Sequence, residues 1–132
     1  MSVSDDVTDA LDCNPAADAA AIDSFAATFG FDPPEGYTRF LRRSNGGEGF
    51  VGKRYLILWP LEELHQHNEG YRVERFAPRL FLFGTDGGNE AYAFDLRQQK
   101  PTIVSVPFIG MSLEEVRQCG ATFDDFLEGL SK

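Results

Sequence analysis

Residues 80–94, LFLFGTDGGNEAYAF, set two short apolar runs on either side of a glycine-rich turn. Successive side chains of a strand point to opposite faces of its sheet. LFLF and AYAF therefore read as strands that are apolar on both faces, and such strands are central and need cover on both sides. Between them, Asp86-Gly87-Gly88-Asn89 has the residues that turns demand. Any fold for this chain has to be built around that pair.

The flanking sequence offers the cover. From Ala16, AADAAAIDSFAATFGF carries Ile22, Phe25 and Phe29 at helical spacing, with Gly30 as a C-terminal stop. Asp32-Pro-Pro-Glu35 reads as a helix start, and Tyr37, Phe40 and Leu41 give that helix an apolar stripe. Asn45-Gly46-Gly47 ends it. RYLILW, 54–59, is a strand, and Pro60 opens a short helix, PLEELHQHN, with Leu61 and Leu64 inward. TIVSV, 102–106, is a further strand. Ser112 with Glu115, and Thr122 with Asp125, are cap signals for two short helices. Phe123, Phe126, Leu127 and Leu130 form the buried stripe of the second. This order predicts an α+β fold, one domain with a mainly antiparallel sheet.

Residues 1–15 contain acids and no base, and read as a flexible acidic tail ahead of a domain over 16–132. Five aspartates fall within the first 18 residues; the rest of the chain carries sixteen acids against twelve bases. Only −4 of the net −9 thus belongs to the chain after Asp18. An acidic balance argues against nucleic acid as a partner. It permits attraction to a basic partner, and equally it simply keeps a protein soluble. No apolar run approaches the roughly 20 residues of a membrane span. The N-terminus lacks the basic and apolar regions of a secretory leader. Cys13 and Cys119 lie far apart and outside any C-x-x-C pattern, which fits a reducing cytoplasm and no disulfide or zinc framework.

SNGGEGFVGK, 44–53, satisfies G-x-G-x-x-G through Gly47, Gly49 and Gly52, and most of a P-loop through Gly47, Gly52 and Lys53. Both motifs need a strand before the loop and a helix after it, because the helix N-terminus receives the phosphate. Here a helix precedes and a strand follows. Arg54 also stands where a hydroxyl would hold magnesium. The glycines read instead as a helix end and a tight passage into the sheet.

Tyr37, Phe40, Leu41 and then Ser44 to Phe50 resemble the signature of the SUKH superfamily, the Smi/Knr-type cell-wall-regulator and toxin-immunity family. The resemblance continues through LWPLEEL at 58–64, FAP at 76–78, LFGTDGGNEAYAFD at 82–95, VPFIGMS at 106–112 and the Phe-x-x-Phe-Leu of 123–127. It implies an antiparallel sheet wrapped by helices in a Smi/Knr-like fold. It also implies a non-catalytic protein-binding role, with no catalytic, cofactor or metal residues to carry over. Many bacterial members are immunity proteins that neutralise a cognate toxin, often a nuclease. Fungal relatives regulate cell-wall synthesis, so an endogenous protein partner is the alternative. The oligomeric state stays open.

For an immunity role, the partner is a cognate toxin, which the acidic balance permits to be basic, met by exposed carboxylates and an aromatic anchor. Segment 56–95 holds seven acids against Arg72, Arg75 and Arg79. Glu62, Glu63, Glu69, Asp86 and Glu90 are the candidate partner-binding acids, and Trp59 the candidate anchor. His65 and His67, two apart on a helix, diverge and cannot chelate one metal. His65 is expected half buried and His67 solvated. Glu90 and Asp95 bracket AYAF at an odd separation, on opposite faces of a regular strand, which argues against an acid–base pair. Asp86 is expected to bond backbone amides in its turn. Cys119 reads as packing rather than as a nucleophile. An enzyme or ligand binder would need a concave pocket with convergent polar groups and shifted pKa values.

Overall fold

A computed structural model describes residues 8, 9 and 11–132. Among these residues seven strands form one sheet: β1 (Asp12–Cys13), β2 (Gly47–Val51), β3 (Arg54–Leu58), β4 (Leu80–Thr85), β5 (Glu90–Asp95), β6 (Thr102–Pro107) and β7 (Arg117–Gly120). They lie in sequence order, and every neighbouring pair is antiparallel. The helices are α1 (Ala19–Asp23), α2 (Phe25–Phe29), α3 (Glu35–Leu41), α4 (Leu61–Gly70), α5 (Val73–Phe76) and α6 (Phe123–Ser131), with a 3-10 turn over Leu113–Glu115. The α+β fold with its antiparallel sheet is as the sequence predicts.

The hairpin of residues 80–94 is the centre of the sheet and is buried on both sides. On one side Phe81, Phe83, Tyr92 and Phe94 face α2, α3 and α6. The Phe83 and Phe94 rings stack 4.4 Å apart, Tyr37 stands 5.1 Å from Phe94, and Phe126 stands 4.8 Å from Tyr92. Phe29 and Phe31 extend this cluster over Phe81 at 4.9 and 5.2 Å. Edge-to-face pairs of this kind add about 0.5–1.5 kcal/mol each to their area burial. The alternate residues Leu82, Ala91, Ala93, Val104 and Val106 are buried too. Here α4 and α5 lie against β4, and Tyr71 meets Phe108 at 4.5 Å.

Several elements differ from the sequence reading. Residues 16–29 form two helices rather than one, because the chain turns at Ser24 (φ −91°, ψ 3°) and so buries both Ile22 and Phe25. The helix expected to start at Asp32 is entered through Pro34, without a side-chain cap. That expected at Ser112 is only the 3-10 turn, also uncapped by its side chain. Thr122 does cap α6, accepting from the Asp125 N–H at 3.0 Å, and Gly30 does end α2 in the left-handed conformation.

The expected tail lies partly outside the described residues, at 1–7 and 10. Of the remainder, 11–15 join the fold. Leu11 is buried, Cys13 and Asp12 pair with Gly47 and Glu48, and Asp9 forms an ion pair with Arg43. The Asn14 N–H donates to the Gly46 carbonyl, and the Asn45 N–H to that of Pro15. An unpaired sheet edge invites a strand, and the β2 edge is covered in part by the chain's own N-terminal segment.

Candidate functional site

The glycine run proves to be half strand. Gly47 to Val51 pair with Leu58 to Arg54 as the β2–β3 hairpin, so no helix follows that could receive a phosphate. Gly46 (φ +87°) brings the chain against the end of β3, where a Cβ would sit 2.5 Å from the Leu58 carbonyl oxygen. A Cβ on Gly47 would sit 3.0 Å from that of Asp12, so this glycine admits β1. The payoff of the close passage is Asn45. Its Oδ1 accepts from the Leu61 N–H at 2.8 Å, and its Nδ2 donates to Glu62 at 2.7 Å. Pro60 opens α4 without a side-chain cap of its own, so a residue from the glycine loop caps it.

Helix α4 carries three of the candidate acids. Glu62 accepts from Asn45, Glu63 lies 3.3 Å from His67, and Glu69 lies 2.9 Å from His65. All three are exposed. The histidines reverse expectation: the His67 side chain is 26% exposed and that of His65 81%. Burial along α4 follows Leu61, Leu64 and His67, steps of three, which brings His67 onto Trp59. The two rings stack at 3.8 Å and 14°. Trp59 itself is 8% exposed, lying under His67 of this helix.

Asp86 and Glu90 stand elsewhere, at the β4–β5 turn. Asp86 Oδ1 accepts from the Gly88 N–H at 2.7 Å and from the Glu90 N–H at 3.3 Å, the local role that turn chemistry implies. Asp95, at the other end of β5, is held by the Arg97 guanidinium at 2.9 and 2.8 Å. That hydrogen-bonded partner keeps its carboxyl below the usual range. Glu90 is the contrary case. Burial, followed by the nearby Asp86 charge, raises its pKa, and its Oε2 has no hydrogen-bond partner among the described residues.

Glu90 opens onto a cleft of about 590 Å³ that the sequence reading did not foresee. Its floor is Tyr92 of β5 and Ser105 of β6, which are paired across the two strands. Arg54 of β3 and Arg117 and Cys119 of β7 stand around it, and Phe126 and Leu130 of α6 close the apolar side. Burial pushes the Tyr92 hydroxyl up to about 12 and raises the Cys119 thiol, against a smaller pull from Ser105. A raised thiol is protonated at neutral pH and is a poor nucleophile. Both histidines of the chain lie on α4 and neither lines the cleft. One sequence signal did exist: Ser105 is a polar residue inside an otherwise apolar strand.

Among the described residues no cluster of three or more His, Cys, Asp or Glu is arranged to hold a metal ion, and no helix is long and apolar enough to cross a membrane. The sequence pattern of the SMI1 / KNR4 family (SUKH-1) matches residues 16–129. No individual curated protein matches the chain.

Proposed function

The chain belongs to the SMI1/KNR4 (SUKH-1) family, and from that premise we propose that it is a non-catalytic binding domain, an immunity protein that neutralises a cognate toxin. The family match over residues 16–129 carries this reading. The surface supports it: Glu62, Glu63 and Glu69 stand outward on α4, a helix fixed at its start by Asn45 and at its back by the Trp59–His67 stack. An acidic helix on a rigid seat suits a basic partner surface, because complementary charge speeds encounter and excludes wrong partners. Regulation of an endogenous protein, the other role in the family, needs the same scaffold and a different partner.

Capture from lysate and culture fluid of the native organism at two salt concentrations separates the two. A secreted toxin domain recovered one to one, and lost as salt rises, supports immunity. An ordinary housekeeping protein moves the domain to the regulatory role. With the partner in hand, Glu62→Gln/Glu63→Gln/Glu69→Gln is expected to weaken binding by about tenfold or more and to flatten its salt dependence. Unchanged affinity would take α4 out of the interface.

A further inference from the structure

Three charged side chains at the cleft, two of them exposed arginines, form no ion pair among the described residues. Arg39 pairs with Asp124 at 2.7 Å and Arg97 with Asp95 at 2.8 Å. Arg54 and Arg117 form no ion pair or side-chain hydrogen bond among the described residues. Glu90 Oε2 is buried and accepts nothing. A buried carboxylate oxygen without a donor is costly, and such atoms are met by a bound water, ion or ligand or are kept under strain.

The lining decides what that could be. Two guanidiniums, Arg54 and Arg117, oppose two carboxylates, Asp86 and Glu90. A lone anion drawn to the arginines meets Glu90 and Asp86; a lone cation drawn to those acids meets the arginines. A ligand with one charge of each sign satisfies both sets. The cleft volume of about 590 Å³ lies in the range of small-molecule sites. We propose that this cleft binds a free α-amino acid, its ammonium donating to the Glu90 carboxylate, its carboxylate accepting from Arg54 or Arg117, and its side chain lying over Phe126 and Leu130.

This activity stands apart from toxin binding and does not depend on it. The test uses the full chain in calorimetry and thermal-shift titration. The probes are the twenty standard L-amino acids at millimolar concentration, with n-butylamine and butyrate as single-charge controls. One or a few amino acids should raise the melting temperature saturably while neither control does. Glu90→Gln should weaken that binding by at least about tenfold. The ligand-free variant should keep or gain stability, because an amide needs no counter-charge. Arg54→Gln, a change on the rim, should weaken binding without altering stability, and it keeps the test open if Glu90→Gln folds poorly. The proposal falls if no amino acid binds, if a control binds as well as its amino-acid counterpart, or if folded Glu90→Gln and Arg54→Gln both bind like the wild type. Loss of a captured protein partner by these two variants, with no amino acid bound, would assign the cleft to a protein segment instead. The α4 substitutions report on the toxin interface separately.

Discussion

Asp86, Glu90 and Asp95 surround a single strand, and their environments give them three different states. Asp86 serves the backbone of its turn, Glu90 is left without a donor, and Asp95 is gripped by Arg97. From the sequence the first was legible, since Asp before Gly-Gly is turn chemistry in its own right. The other two depend on which charged residue the fold brings near, and spacing alone could not say. For Asp95 the pH consequence has a definite sign. Its folded pKa is depressed, so the Arg97 contact contributes stability that is present above the unfolded value of about 3.9 and is lost as pH falls through the folded value. Arg97→Gln is therefore expected to cost about 1 kcal/mol at neutral pH, an amount tempered by the exposure of the arginine. The difference from wild type should shrink towards zero in acid. Urea melts at neutral pH and below pH 4 would reveal it; a difference independent of pH would mean that Arg97 acts by packing.

At the scale of elements, what was legible was whatever carries a strong period or a strong stop. The two apolar strands, α3, α4 and α6 all announce themselves, and the Thr122 cap sits where its sequence signal puts it. β2 was hidden because GEGFV has three residues that disfavour strands, and only β1 and β3 on either side make it one. β7 and α5 have four residues each, too few to show a period. One joint between elements was invisible: β3 ends at Leu58, which leaves the next stretch of the β4 edge without a strand. Asn68 of α4 takes its place. Its Oδ1 accepts from the Leu82 N–H at 2.7 Å, and its Nδ2 donates to the Leu82 and Leu64 carbonyls at 3.0 and 2.8 Å. This occurs beside the irregularity between Leu82 and Gly84, where the β4–β5 register shifts. Asn68→Ala would strand a donor and an acceptor of a central strand at once. The expected loss is about 2–3 kcal/mol by chemical denaturation. A loss below about 0.5 kcal/mol would mean that water replaces the amide freely.

For the whole molecule the open matter is where the folded body begins. The family pattern covers residues 16–129, and the sequence reading expects a flexible tail over 1–15 ahead of a domain over 16–132. Yet Leu11 is buried among core residues, and Asp12 and Cys13 lengthen the sheet. Composition pointed to a free tail because aspartates dominate the segment; a single leucine and two backbone pairs are beneath what composition resolves. The physical case for attachment is that β2 would otherwise present its edge to solvent. Gly47 is matched to that neighbour, since any side chain there would press on the Asp12 backbone. Leu11→Ala separates the possibilities. In a chain whose folded body includes this segment, it removes a side chain 6% exposed and should cost about 2–3 kcal/mol. In a chain with a free tail it should cost nothing measurable. Attachment also predicts a local signature, faster amide exchange at Gly47 and Glu48 in the variant than at the β4–β5 centre. A variant as stable as the wild type, with exchange unchanged at Gly47, would return residues 11–15 to the tail and leave β2 as the true edge of the sheet.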